Sequence, residues 1–169
     1  VTGGSRGLGK AICLNLASCG MSVVVNYNAN REKAEAVVEE IKKTYGVEAV
    51  SVQGDVADSQ DVKRMVEEAA GRFSGIDLLV NNAGICPPCF IKDMAEDVWR
   101  RTIDINLTGT YLMSREVVNH FLATGNRGRI VNIVSQAAFN GSATGKAHYA
   151  ASKAGVVAFT VSLAQEVAK

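Results

Sequence analysis

The sequence lacks the features that mark several classes of protein. Apolar runs such as residues 23–25 and 78–80 fall far short of the roughly 20 residues that a membrane-spanning helix needs. With 18 Lys and Arg against 17 Asp and Glu, the net charge is only +1, and no basic stripe marks a DNA- or RNA-binding surface. Hydrophobic residues make up 47% of the chain, which excludes disorder. We expect a folded protein with no membrane or nucleic-acid partner.

The chain also has only two prolines, no internal repeat and no linker that would divide it. Its 169 residues lie within the roughly 100 to 200 residues of a common domain. We therefore predict a single domain over residues 1–169.

Cysteines are few, and no charged-then-apolar leader begins the chain, so we expect a reduced, cytoplasmic protein. The four are Cys13, Cys19, Cys86 and Cys89. Cys86-Pro87-Pro88-Cys89 has the spacing of a redox or zinc-ligand pair, but a four-cysteine zinc site needs a second close pair and a redox motif should open a helix. We favour a loop with two incidental thiols, with a metal or redox role as the alternative.

Short Val- and Ile-rich runs alternate with longer segments of helical periodicity, a pattern typical of an α/β chain. The runs predicted as parallel strands, buried on both faces, are residues 23–25, 47–52, 76–80 and 130–134. Helical spacing is clearest over residues 62–73, with Asp58 or Ser59 placed as the N-cap, and over residues 34–45, which Gly46 would end. Right-handed crossovers then favour a doubly wound parallel sheet of Rossmann type.

The expected first strand is missing from this pattern. A glycine-rich turn starts at residue 2 or 3, so Val1 alone represents the strand, and the last residue, Lys169, falls inside a helical segment that begins at Ala147. We expect a fold truncated at both ends, with unpaired backbone groups beside the absent strand that each cost about 1 to 3 kcal/mol if buried. Adding the first strand and the carboxyl-terminal region should raise the stability by several kcal/mol.

The glycine-rich turn has the composition of a phosphate-binding loop. It reads Thr2-Gly3-Gly4-Ser5-Arg6-Gly7-Leu8-Gly9 and leads into the helical run 10–19. Glycines let a ligand approach the backbone, and a helix N-terminus offers N–H groups and partial positive charge to a phosphate, so a dinucleotide pyrophosphate fits. The spacing GxxxGxG differs from the GxGxxG fingerprint and lacks the ending of a P-loop. The alternative is a tight turn that only packs.

The end of the next strand bears on which dinucleotide binds. An acid there would bind the ribose 2′-OH of NAD, but this sequence has Tyr27 without an acidic neighbour. Arg6 and Arg31 lie nearby in sequence, and guanidinium groups would chelate a 2′-phosphate that a carboxylate repels. This favours NADP, as NADPH, over NAD. Arg31 is equally consistent with a solvated residue on its helix.

Tyr149 and Lys153 are spaced to lie on one helix face, one turn apart. A free phenol has a pKa of about 10, too high for acid–base catalysis at neutral pH. An ammonium about 4 Å away at an effective dielectric near 20 contributes about 4 kcal/mol, which lowers such a pKa by roughly three units. An interface tyrosine beside a snorkelling lysine is the alternative.

Polar residues also stand where ligands bind in open α/β sheets, at the carboxyl ends of predicted strands. Ser135 follows residues 130–134, and Asn81-Asn82-Ala83-Gly84 ends the previous strand. Asn106 lies within the helix-like residues 97–121. Taken singly, each is also explained as an ordinary turn or helix residue.

In this order the chain resembles the classical short-chain dehydrogenases/reductases over essentially its whole length. The residues that carry the resemblance are Thr2-Gly3-x-x-x-Gly7-x-Gly9, Asp55-Val56, Asn81-Asn82-Ala83-Gly84, Asn106, Ser135 and Tyr149-x-x-x-Lys153. Within that family it is most similar to the 3-oxoacyl-[acyl-carrier-protein] reductases, partly through residues 104–109. The resemblance implies an NAD(P)-binding domain of Rossmann type.

The resemblance also implies roles for the site residues. Tyr149 would donate a proton to the ketone oxygen, while Lys153 would lower its pKa and bind the nicotinamide ribose. Ser135 would polarise the carbonyl, and Asn106 would anchor a relay water. The implied cofactor contacts are Gly3, Ser5, Arg6, Gly7, Leu8, Gly9, Tyr27, Asp55, Val56, Asn82, Ala83, Gly84, Tyr149 and Lys153. Of these, Asp55 and Val56 would contact adenine, and residues 82–84 the ribose side.

We therefore expect an NADPH-dependent enzyme that reduces a ketone to a secondary alcohol, for instance a 3-oxoacyl thioester on an acyl carrier in fatty acid biosynthesis. The alternatives are a sugar or polyol dehydrogenase of the same family and a non-catalytic dinucleotide-binding protein. The family resemblance further implies a homotetramer. Two features depart from the family pattern: Ser135 lies fourteen positions before Tyr149, one more than expected, and Cys86 and Cys89 follow the Asn-Asn-Ala-Gly motif.

Overall fold

The computed structural model describes residues 1–168, in which helices and strands alternate as the sequence predicts. The strands are β1 (Val23–Tyr27), β2 (Ala49–Gln53), β3 (Leu78–Asn81) and β4 (Arg129–Asn132). The helices are α1 (Gly7–Ser18), α2 (Arg31–Tyr45), α3 (Ser59–Phe73), α4 (Glu96–Ile103), α5 (Gly109–Thr124), α6 (Ala137–Asn140) and α7 (Ala147–Val167). A 3₁₀ turn covers Ile91–Asp93, and a π-helical turn, Asp104–Thr108, joins α4 to α5. The α/β fold class is confirmed.

The ends of α2 and α3 confirm the predicted capping signals. The Asp58 carboxylate accepts the backbone N–H groups of Gln60 and Asp61 at 2.8 and 2.9 Å, so α3 begins at the predicted cap. Gly46 ends α2 with a φ of 66°, a left-handed conformation in which a Cβ would be strained. None of the helices in residues 1–168 combines the length and apolar character needed to cross a lipid bilayer.

The chain forms two compact units. The first comprises Val1–Ala83 and Leu112–Val131, and the second comprises Gly84–Tyr111 and the chain from Asn132 onward. The core of the first unit includes Val25 of β1 and Ile41 of α2, which are fully buried. In the second unit α7 packs against α4, α6 and the π-helical turn. The prediction of a single domain remains a prediction.

Within the described residues, the strands form two separate pairs, β1 with β2 and β3 with β4. β1 and β2 are parallel, with Val23 opposite Ala49. Between β1 and β3 the chain start makes three links: the Val1 ammonium donates to the Val24 carbonyl at 2.9 Å, the Val1 carbonyl accepts from Asn26, and the Thr2 N–H donates to the Val80 carbonyl. The first four residues thus occupy one end of the position that the sequence assigns to the first strand.

The rest of that position is a cavity of about 380 Å³ in the first unit. Its lining includes the apolar side chains of Val24, Val66, Phe73, Leu79 and Val117. We call this cavity the strand slot. Residues of both β1 and β3 line it, and the absence of a first strand between them stays a prediction.

Of the predicted strands, residues 130–134 agree least with the structure, in which they overlap β4. It ends at Asn132 rather than at residue 134, and Val131 is 44% exposed, so the prediction of burial on both faces is wrong for this strand. Among the described strands only β3 pairs with it. Hydrophobic runs alone cannot distinguish a covered strand from one that lacks a neighbour.

Candidate active site

The glycine turn of the first unit depends on the absence of side chains. A Cβ on Gly9 would collide with the Gly3 carbonyl oxygen and lie 2.6 Å from Asn82 Nδ2. Gly3 has a φ of +61°, which favours glycine over residues with a Cβ. The turn therefore needs glycine at these two positions for its own packing.

Polar side chains of Thr2, of Asn26 in β1 and of Asn82, just after β3, hold this turn in place. Thr2 Oγ1 accepts the backbone N–H groups of Asn82 and Ala83, both at 3.0 Å. Asn82 Nδ2 donates back to the Thr2 carbonyl at 2.9 Å, and Asn26 Oδ1 accepts the Gly3 N–H at 3.1 Å. Asn82 and Ala83 of the Asn-Asn-Ala-Gly segment thus hold the glycine turn.

The start of α1 suits an anion. Arg6 stands at the N-cap without a side-chain hydrogen bond, and the first helical turn has no acidic residue. Arg6, Gly7 and Leu8 are exposed, Leu8 by 58%. An uncapped N-terminus leaves N–H donors and partial positive charge available, so the residues present fit a dinucleotide pyrophosphate.

The side chains of Tyr27 and Arg31, the predicted nucleotide-specificity residues, already contact other parts of the protein. Tyr27 ends β1 as predicted, but its side chain is only 6% exposed and belongs to the core, so most of the ring contacts protein. Arg31 pairs with Glu35 at 2.6 Å on an exposed face of α2, and that hydrogen bond raises the pKa of Arg31. In this structure Arg31 is therefore a solvated residue on its helix, which was the alternative to a 2′-phosphate ligand.

Asp55 and Val56 follow β2 in a short turn. The Asp55 carboxylate accepts the Ala57 N–H at 2.9 Å, and its own N–H donates to the Asp61 carboxylate at 2.9 Å. Val56 is 6% exposed. The structure therefore places both residues just after β2, and their contact with adenine stays a prediction.

In the second unit, α7 carries Tyr149 and Lys153 one turn apart. Lys153 Nζ lies 6.0 Å from the centre of the Tyr149 ring. The Lys153 side chain is 4% exposed and donates to the Ile133 carbonyl at 2.7 Å. Burial lowers the pKa of Lys153 because the charged amine loses hydration.

Asn106 is fully buried in the π-helical turn, where its amide group is bonded on both sides. Asn106 Oδ1 accepts the Ile85 N–H at 2.8 Å, and Asn106 Nδ2 donates to the Ile85 carbonyl at 2.9 Å and to Ser152 Oγ at 3.0 Å. Its backbone carbonyl accepts the Thr110 hydroxyl at 2.8 Å. The water relay assigned to Asn106 stays a prediction.

Gly84 lies beside these residues. A Cβ built on Gly84 would be 3.2 Å from Asn106 Oδ1 and 3.7 Å from Lys153 Nζ. The structure therefore brings together Gly84, Asn106 and Lys153, three of the residues that the sequence assigned to the site.

Ser135 does not directly follow a strand. Because β4 ends at Asn132, Ser135 lies in the turn that leads into α6. Its hydroxyl accepts the Ala137 N–H at 3.2 Å and its carbonyl accepts the Ala138 N–H at 2.9 Å, so local hydrogen bonds bend the chain away from the strand.

The Cys86 to Cys89 segment is a loop, as predicted. Both cysteines are partly buried and unbridged. The Cys89 N–H donates to the Gly145 carbonyl at 2.7 Å, which joins this loop to the segment before α7. Across residues 1–168, no three His, Cys, Asp or Glu side chains cluster as metal ligands.

Two buried polar residues that bond predicted site residues were not identified from the sequence. Asn26 interrupts an apolar strand, and its Nδ2 donates to the Gly54 carbonyl at 3.1 Å while its Oδ1 binds the glycine turn. Ser152 lies inside the Tyr-x-x-x-Lys motif and binds Asn106. An amide within a strand is a signal that could have identified Asn26, whereas small residues are common in helices and Ser152 gave none.

Comparison with known proteins agrees with this geometry. The family profile described as short chain dehydrogenase matches residues 1–169. Over 168 residues, the chain is 45% identical to a 3-oxoacyl-[acyl-carrier-protein] reductase from Synechocystis, 44% identical to one from Staphylococcus aureus and 43% identical to one from Staphylococcus epidermidis. The alignments cover 99% of this chain and 67%, 67% and 68% of the three relatives.

Proposed function

Because the chain belongs to the short chain dehydrogenase family and is an NAD(P)-dependent oxidoreductase, we propose that it reduces a ketone to a secondary alcohol with NADPH. The substrate we propose is a 3-oxoacyl thioester on an acyl carrier protein, since the relatives above are named for that reaction. We further propose a role in fatty acid biosynthesis, a homotetrameric assembly and a cytoplasmic location.

The observation that carries this proposal is the pairing of Tyr149 with the buried amine of Lys153 one helical turn away. Tyr149 gives its hydroxyl proton to the ketone oxygen, and the Lys153 charge stabilises the phenolate that remains. The Ser135 hydroxyl donates to the same ketone oxygen and polarises the carbonyl. The nicotinamide, when bound, supplies the hydride.

Residues of both units contact the cofactor in this proposal. In the first unit, the uncapped start of α1 binds the pyrophosphate, Asp55 and Val56 contact adenine, and Arg6 binds the 2′-phosphate. In the second unit, Lys153 binds the nicotinamide ribose. The absence of an acidic residue beside Tyr27 supports NADPH over NADH.

The test is the oxidation of NADPH, followed by absorbance, with a 3-oxoacyl thioester and the intact protein. We expect the Tyr149→Phe variant to lose about 10²- to 10⁴-fold in kcat, the usual contribution of a general acid. Tyr45→Phe is the matched control, because Tyr45 is a partly exposed residue at the end of α2.

Other outcomes would favour the alternatives. Binding of NADPH without turnover of any ketone would support a non-catalytic dinucleotide-binding protein. Faster reaction with sugars or polyols than with thioesters would support the corresponding dehydrogenase. Equal rates for the parent and Tyr149→Phe would contradict the proposed role of the phenol.

A further inference from the structure

We propose that Ser152 is a positioning residue, which couples the Asn106 side chain to the helical turn that carries Tyr149. Ser152 is completely buried. Its hydroxyl donates to the Tyr149 carbonyl at 2.7 Å and accepts from Asn106 Nδ2 at 3.0 Å. One hydroxyl therefore bonds the backbone of the proposed acid and a second site residue at once.

The Asn106 amide can bond Ser152 in this way because its orientation is fixed. The Ile85 N–H requires an acceptor, so Oδ1 must face it, and the Ile85 carbonyl takes one hydrogen of Nδ2. The second hydrogen of Nδ2 points to Ser152 Oγ. The π-helical turn places the amide between these partners.

The hydrogen bonds of Asn106 connect Ile85, in the loop after β3, to Ser152 on α7, and all three residues lie in the second unit. Ile85 follows Gly84, and a Cβ on Gly84 would lie 3.7 Å from Lys153 Nζ. Ser152 directly precedes Lys153 on α7. Loss of the Ser152 hydroxyl leaves a buried Asn106 hydrogen without its acceptor, so either the amide or this turn of α7 must shift.

This inference rests on the proposed function, because it concerns placement of the group that would protonate the ketone. A back-bond from a helical serine is also found where it has only a structural role. The bond with Asn106 is the observation that favours a positioning role. The measurement that separates the two roles is kcat, because loss of a purely structural serine would alter stability without altering kcat of the folded enzyme.

The first experiment compares Ser152→Ala, Ser152→Cys and Ser152→Thr with the parent in NADPH-dependent reduction. We expect Ser152→Ala to lower kcat by about 10- to 100-fold, as for a small misplacement of a catalytic group, with KM for NADPH unchanged. Ser152→Cys keeps the shape with a weaker hydrogen bond and should be intermediate, and Ser152→Thr should restore most of the activity. Ser162→Ala, at an exposed position of α7, is the matched control.

A double-mutant cycle with Asn106→Ala tests the coupling directly. We expect Ser152→Ala to have little further effect on kcat once Asn106 is absent, because both changes break the same connection. Additive effects would overturn the proposal, as would a kcat for Ser152→Ala equal to that of the parent.

A measurement without cofactor or substrate completes the test. In NMR spectra of the unliganded protein, we expect the Asn106 side-chain amide hydrogens to exchange slowly with solvent and to exchange faster in Ser152→Ala and Ser152→Cys. Unchanged exchange would overturn the proposal even if one variant folded poorly. Absence of ketone reduction in the parent would instead contradict the proposed function, whereas an active parent with an equally active Ser152→Ala would contradict this inference alone.

Discussion

Lys153 is an amine held almost entirely away from water. With 4% of its surface exposed, it bonds the Ile133 carbonyl, and burial lowers its pKa. Keeping a charge in such a place reduces the stability of the folded chain. The proposed reaction explains why the residue is there, because the charge is needed next to the phenol and not for packing.

Replacement of Lys153 by Met should separate the cost of the buried charge to stability from its contribution to the reaction. Burial depresses the folded-state pKa, so the unfolded chain binds more protons between that pKa and the ordinary lysine value of about 10.4. The parent should therefore gain stability relative to Lys153→Met as pH rises through this window, with a constant difference below it. Urea unfolding from neutral pH to about pH 10.5 measures this, while kcat should fall. Parallel stability curves for the two proteins would contradict it.

At the scale of single elements, local sequence signals predicted where helices begin and end, but they did not predict contacts between distant residues. The sequence placed the N-cap of α3 at Asp58 or Ser59 and the end of α2 at Gly46, because a cap acts within one turn of its own residue. The stretch 97–121 was described as helix-like, and the structure adds a π-helical turn within it, at Asp104–Thr108. Asn106 there binds Ile85, and periodicity does not encode a contact between distant positions.

The α3 cap gives a test at this scale. Asp58→Ala removes the acceptor of the Gln60 and Asp61 N–H groups and should lower the free energy of unfolding by about 0.5 to 2 kcal/mol. Asp58→Asn keeps a capping oxygen and should stay close to the parent. Chemical denaturation of all three proteins decides the matter, and a loss of equal size in both variants would count against the assigned cap.

The site shows the same limit of sequence reasoning. The positions of Tyr149, Lys153 and the glycine turn follow from spacing, because helix geometry and backbone sterics are local rules. The hydrogen bonds of Ser135 and Ser152 did not follow from spacing. Ser135 depends on where β4 ends, and Ser152 depends on a partner in another helical segment.

At the scale of the molecule, the described strands form two pairs beside the strand slot. The first four residues already bond β1 and β3 at one end of it. An extended apolar segment placed before Val1 would continue that pairing and cover the apolar side chains that line the slot.

Extending the chain before Val1 with about five residues of Val, Ile and Ala, the length of a typical strand, should therefore stabilise it. Each buried Val or Ile contributes about 1.5 to 3 kcal/mol, so a gain of several kcal/mol is expected after the entropy of ordering is subtracted. Thermal unfolding compares this chain with one extended by Gly and Ser to the same length. Identical melting temperatures would show that the added residues do not enter the slot.

The bonds between Thr2 and the end of β3 have a consequence for how such a sequence can change over generations. The Thr2 hydroxyl accepts two N–H groups from a stretch that starts 80 residues later, and Asn82 returns a bond to the same residue. Each side chain bonds the backbone of the other position, so loss of either one leaves backbone groups without partners whatever residue stands opposite. Selection should therefore retain a hydroxyl at position 2 and an amide at position 82 separately, because a change at one position cannot compensate for a change at the other.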